Sequence, residues 1–352
     1  MSAGRDVALS VAGAWRPAPP PLRASSERLA DLVPLLVRGG VGALVWRRVR
    51  LSELTPSPRL RELQEAHRLN VLQAAVQQRA LRDAVVALAS AGIDPLLGKG
   101  WAMARLYPER GLRPAGDVDL YVRPDEVEAA RAALDRSAVG GVDLHSGVAE
   151  LDDRRWDALC GRSVRIAAGE APVRTFAPDD HFRLVALHML RHGAWRPLWL
   201  CDVGAALEST ASPLDWDRVL AGDPRRARAV GCAARLAQEL LGARLDGAPA
   251  AVREARLPRW VVSTVLRQWG DPRLEPQSRR RPFSADVKQA GAMLEALVQR
   301  WPNPIEATLN VGGPFNDLPR LPFQLAECVR RTAGFAGRAA ARRSDGRGPA
   351  AA

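Results

Sequence analysis

Three short pieces of the chain concentrate residue types that do phosphate and metal chemistry: Leu96-Leu-Gly-Lys-Gly-Trp101, Asp117-Val-Asp-Leu-Tyr-Val122 and Val142-Asp-Leu-His145. In an extended strand, successive side chains alternate faces. Asp117 and Asp119 therefore share one side while Val118, Leu120 and Val122 turn to the core. The same parity sets Asp143 and His145 opposite Val142 and Leu144. If the two strands are neighbours in one sheet, three carboxylates converge on a small patch. Such carboxylates repel one another, and a hard divalent cation such as Mg²⁺, which prefers oxygen ligands, resolves the repulsion. Gly98 and Gly100 allow a tight turn at a strand end, and the helix that follows opens with free N–H groups that favour an anion. Lys99, one of only two lysines in the chain, adds a point charge. The parts together suit a triphosphate held by a glycine turn and metals, poised for in-line displacement.

Other polar residues invite weighing. Arg113 stands four residues before Asp117, placed either to meet a phosphate or to pair with Asp117 or Asp119. Arg105 and Arg110 read as a solvated face. His145 faces the patch as a ligand, a catalytic group or a hydrogen-bonded structural residue. His181, His188 and His192 fall on one helical stripe, but no Glu follows His188, so packing or the lining of an acceptor cleft fits better than a zinc-protease pair. Asp202 reads as a partner for one of these His or for an Arg, and the ten Trp read as core.

The elements that must position these residues are legible in outline. A flexible Trp15 to Leu22 stretch precedes a helix capped by Ser26, and Gly39-Gly40 ends it. A second short helix spans Val41 to Arg50. Ser57-Pro58 then opens the most strongly periodic segment, Arg59 to about Ser90, which Gly92 ends. From Ile93 to His145 the period changes to strand, turn, helix, strand, helix, strand, the only α/β stretch expected. Beyond Leu151 the pattern is helical, most clearly from Asp179 to His192. Residues 271–282 read as a linker. The expected division is a helical region at 1–92, an α/β core at 93–150, a helical region at 151–335 and a disordered tail at 336–352, with an α+β fold overall.

Composition narrows the classes. The chain has 352 residues, enough for two or three domains, and 47% are hydrophobic, which excludes a wholly disordered or collagen-like chain. The charge is 51 − 39 = +12, but 51 − 2 = 49 of the basic residues are Arg, a usage bias that makes the charge weak support for nucleic acid. The four cysteines form no C-x-x-C pair. No apolar run approaches the roughly 18 residues that span a bilayer, and the charged start is unlike a signal peptide. The expectation is a cytoplasmic protein without a membrane partner.

The strand, glycine turn, helix, Asp-x-Asp strand and third-Asp strand resemble the polymerase-β-like nucleotidyltransferase superfamily. More narrowly, Leu-x-Lys-Gly, Leu106-Tyr-Pro108, Leu112-Arg-Pro-x-Gly-Asp-Val-Asp-Leu120 and Asp143-Leu-His145 resemble a bacterial family of uncharacterised nucleotidyltransferases. The chain departs from that family at Gly98, where a bulky apolar residue is usual, at Ser146, and in a short interval from Val122 to Asp143. The resemblance implies a small mixed sheet embedded in a helical protein. It also implies transfer of a nucleotidyl group from an NTP to a hydroxyl-bearing small molecule or peptide, with release of pyrophosphate. Asp117, Asp119 and Asp143 would then hold two Mg²⁺ ions, and Gly98, Lys99, Gly100 and Arg113 would meet the NTP. A non-catalytic nucleotide-binding or scaffold protein and an RNA-end-binding protein are the alternatives.

Overall fold

In the computed structural model, residues 2–54, 57–114, 116–168, 171–208, 213–273 and 300–344 are described. The chain opens with α1 (Ala3–Val11), α2 (Ser26–Arg38) and α3 (Gly42–Arg50), followed by the long α4 (Arg61–Ser90). Ser25 rather than Ser26 caps α2, accepting from the Arg28 N–H. The stretch after Trp15 is tied to α3 by arginine side chains. Arg47 donates to the Arg16 and Pro17 carbonyls at 3.0 and 2.7 Å, and Arg48 holds Ser10 and Pro20 at 2.7 and 2.8 Å. A proline-rich segment lacks N–H donors to organise itself, so its carbonyls are ordered by donors brought from elsewhere.

The α/β part follows: β1 (Leu96–Leu97), α5 (Lys99–Ala104), β2 (Val118–Val122), α6 (Val127–Arg136), β3 (Val142–Ser146), α7 (Trp156–Arg162), β4 (Val164–Ala168) and β5 (Ala171–Thr175). One mixed sheet results, in the order β3-β2-β1-β5-β4. β2 runs parallel to β3 and antiparallel to β1, while β1 is parallel to β5. The sheet therefore extends beyond 150, and the second half is not all helical. β4 and β5 are only five residues each, and Val164-Arg165-Ile166 and Val173-Arg174-Thr175 give too few alternations to carry a period-two reading.

The two sheet faces differ. Val118, Leu120 and Val122 are fully buried against Leu81, Leu88 and Ala130 of α4 and α6. The opposite face sets Tyr121 and Leu96 against Phe176 and Leu184. α4 also pins the loop that feeds β2: Asn70 donates to the Gly111 carbonyl at 3.1 Å, and Gln77 donates to that of Gly116.

The remaining helices are α8 (Pro178–Arg191), α9 (Pro197–Leu207), α10 (Trp216–Leu220), α11 (Pro224–Leu241), α12 (Ala250–Arg253), α13 (Arg259–Gly270), α14 (Pro304–Asn310) and α15 (Leu321–Ser344). Those from α8 to α14 share one core with the N-terminal helices, in which Val7, Trp15, Leu36, Leu190, Leu200, Leu236 and Val265 all pack. The Trp15 ring lies so close to Gly204 that a Cβ there would stand 2.6 Å from it. α15 takes in residues 336–344 of the expected disordered tail, consistent with the helix preference of its Ala and Arg. Residues 345–352, and the expected linker from 274 onward, lie outside the described residues. Among the described residues no helix is long and apolar enough to cross a membrane.

Candidate functional site

Parallel pairing in register places Val118 opposite Val142, Asp119 opposite Asp143 and Tyr121 opposite His145. The alternation expected for both strands is thus realised, and two carboxylates and an imidazole meet at one end of the sheet. His145 Nε2 lies 3.1 Å from Asp119 Oδ1 and 3.2 Å from Asp143 Oδ2, and its ring stacks on Tyr121 at 4.5 Å. Lys99 Nζ stands 2.9 Å from Asp119 Oδ1 and 3.3 Å from His145 Nε2. The Gly100 N–H donates to Asp119 Oδ2 at 3.1 Å. Burial alone would raise the Asp119 carboxyl, but the His145 hydrogen bond and the Lys99 charge outweigh it and hold Asp119 below the ordinary carboxylate range. The Asp119 side chain is 14% exposed and that of Asp143 56%, so the two carboxylates differ sharply in access to solvent.

The turn works differently from the glycine reading. Neither Gly98 nor Gly100 has positive φ; the left-handed residue is Lys99, at φ 38°. A non-glycine residue held there costs about 1 to 3 kcal/mol and persists where its surroundings over-determine it, here through the bond to Asp119. Gly98 is needed for space: a Cβ would stand 2.7 Å from the Tyr121 ring and 3.0 Å from Phe176. The space a side chain would take here is filled by the neighbouring aromatics.

Arg113 takes another place than the sequence suggests, and Asp117 stands at the edge of the site. Asp117 precedes the β2 ladder, is exposed and lines the same cleft, but it stands outside the group formed by Asp119, Asp143 and His145, whose ligand atoms lie within 4.8 Å of one another. Arg113 is buried and committed to Asp202, through Nε at 3.1 Å and Nη2 at 2.8 Å. The Tyr107 hydroxyl joins the same carboxylate at 2.8 Å. Asp202 is accordingly the partner of an Arg, one of the two possibilities its position offered.

A cleft of about 760 Å³ rises from this floor. Its wall carries Glu150, His188, Arg191, Trp195, Arg196 and Trp199. Glu150 lies 3.8 Å from His188 Nδ1 and 3.5 Å from Arg191. Burial opposes ionisation of Glu150, yet His188, Arg191 and Lys99 overcome it and hold the carboxyl at about 2. His188 and His192 pack 4.5 Å apart against Trp199. His181 does not line the cleft; it is buried beside Phe176, its Nε2 without a partner among the described residues, and burial lowers it to about 4. Trp195 and Trp199 line the cleft, and Trp199 also packs against the helical core. Glu150, Arg196 and these two Trp went unrecognised in the sequence, although His188, His192, Trp195 and Trp199 recur at spacings of three to four residues.

The donor set of two carboxylates and one imidazole fits a divalent cation, the carboxylates being the ligands that hard ions prefer. The family described as "Uncharacterised nucleotidyltransferase" matches residues 25–141 and 139–242, more than half of the chain. No curated protein and no solved structure matches the chain.

Proposed function

The chain belongs to the uncharacterised nucleotidyltransferase family, and from that premise we propose that it moves a nucleoside monophosphate from an NTP to a hydroxyl-bearing acceptor in a Mg²⁺-dependent reaction that releases pyrophosphate. The observation that carries this reading is the meeting of Asp119, Asp143 and His145 beside Lys99 on the floor of the cleft. Asp119 and Asp143 would hold the metal, with Asp117 adding a third carboxylate from the same cleft. A bound divalent ion supplies charge neutralisation at the triphosphate and eases ionisation of the acceptor hydroxyl.

The chain's own residues do the rest. Lys99 brings a positive charge to the donor phosphates, and its strained backbone fixes where that charge stands. Asp143, the more exposed carboxylate, faces the acceptor and receives its proton, with His145 Nε2 3.2 Å away to share it. The Tyr121 ring stacks under His145 and helps to hold the imidazole between the two carboxylates. The acceptor enters along the Trp- and His-lined wall, which excludes water from the transfer.

The test is pyrophosphate release with each of the four NTPs and Mg²⁺ against a panel of sugars, hydroxy-amino-acid peptides and small alcohols. One NTP supports release, and Asp119→Asn lowers the rate by roughly 10³-fold. Release that is indifferent to Asp119→Asn would falsify the assignment. NTP binding without release, under every acceptor, would select the non-catalytic nucleotide-binding alternative.

A further inference from the structure

We infer that Arg196 is a second anion-recognition point of this cleft, seated against the face of Trp199 and separate from the Lys99 turn, and that it takes a phosphate or carboxylate group. The inference rests on the cleft being the reaction site. The other cleft cations with a recorded ion pair already face carboxylates: Lys99 meets Asp119 at 2.9 Å, Arg113 meets Asp202 at 2.8 Å and Arg191 meets Glu150 at 3.5 Å. Arg196 differs. Its Nε is fully enclosed and has no acceptor among the described residues, and its guanidinium carbon lies 6.0 Å from the centre of the Trp199 ring.

The charged groups nearest to Arg196 are Arg113 and Asp202. Both Asp202 oxygens are already occupied, one by Tyr107 and Arg113 Nε, the other by Arg113 Nη2. Burial, and then the Arg113 charge, lower Arg196 to about 10, so it remains cationic at neutral pH. A guanidinium with its Nε sealed from water and no counter-charge at hand is destabilising unless a ligand completes it through the remaining nitrogens. Its planar fork matches the paired oxygens of phosphate or carboxylate. Trp195 and Trp199, edge to face at 5.5 Å, offer an aromatic surface beside it. The fitting ligand therefore joins an oxyanion to a flat or apolar body. Two sources have that chemistry: the phosphate tail of the NTP, and an anionic group on the acceptor.

The test is calorimetric titration of pyrophosphate, inorganic phosphate and the preferred NTP into the wild type, Arg196→Gln and Arg196→Lys. At least one of the two inorganic anions binds about tenfold more weakly to Arg196→Gln, with partial recovery in Arg196→Lys. Arg196→Gln also melts higher than the wild type without anion, since an uncompensated charge has been removed. A parallel fall in NTP affinity assigns the oxyanion to the donor tail. Unchanged NTP affinity, with loss of the phosphate that binds over saturating NTP, assigns it to the acceptor. Equal anion binding by wild type and Arg196→Gln, or none by the wild type, overturns the inference. Either result leaves nucleotidyl transfer, read through Asp119→Asn, standing or falling by itself.

Discussion

Asp119, Asp143 and His145 meet because two adjacent strands run parallel and in register, whereas Arg113, Tyr107 and Asp202 meet across 89 to 95 residues of chain on the wall of the same cleft. The floor is local: its polar groups sit within residues 99–145, and the sheet places them. The wall is assembled by tertiary packing of α8 and α9 against the loop before β2. Each wall carboxylate is matched to a cation before any ligand arrives, Asp202 to Arg113 and Glu150 to Arg191, whereas Arg196 Nε has no acceptor among the described residues. The two regions therefore respond differently to substitution. The floor's residues govern chemistry, and the wall's pairs govern stability and shape.

Breaking the wall has the largest expected effect on stability. Arg113→Met leaves Asp202 buried without its charge partner, and such losses run to about 3 to 5 kcal/mol. Urea unfolding measures it, and the double change Arg113→Met/Asp202→Leu regains much of the loss because the stranded carboxylate is gone. Full loss in the double variant as well would show that the pair shapes the wall by more than its charges.

Acid separates the regions next. His181 is lowered to about 4 by burial, against about 6.5 in the unfolded chain. Between those values the unfolded chain binds the proton and the folded chain does not, so stability falls as pH drops from 6.5 to 4, by about 3 kcal/mol. Unfolding curves across that window test it, with His181→Gln flattening this limb. Glu150, held at about 2, adds a further loss only below its ordinary carboxylate value.

A smaller and more pointed change sits under the floor. Gly98→Ala puts a methyl 2.7 Å from the Tyr121 ring, on which His145 stacks. Overpacking of this kind costs about 1 to 3 kcal/mol. The transfer rate falls more than NTP affinity does, because the ring beneath His145 moves while the wall does not. Equal falls in both would mean that the turn serves binding alone.

The same comparison explains what was legible. Strand parity and the spacing of Asp119, Asp143 and His145 are local properties, so the floor is readable in the sequence. So are α2, α3, α4 and α8, whose apolar residues recur at helical spacing. Asp202 pairing with Arg113 depends on how α9 docks, which no local pattern encodes. Arg113 therefore reads as available to phosphate, and Trp195 as core. Lys99 stands in the left-handed region next to a Gly98 that Tyr121 and Phe176 crowd, and Asp119 holds its side chain, which no local pattern encodes. The Pro-rich stretch after Trp15 reads as flexible because its anchors, Arg47 and Arg48, lie some 30 residues further on.

The most direct test of the central claim is the thermal midpoint with the four NTPs, with and without Mg²⁺, for wild type, Asp119→Asn and Asp143→Asn. A nucleotide at about 100 times its Kd adds roughly 2.7 kcal/mol, a rise of several degrees. The account predicts a rise with one NTP that needs Mg²⁺ and disappears in both variants. A rise of equal size in Asp119→Asn, or one indifferent to Mg²⁺, contradicts a metal-assisted nucleotide site on this floor.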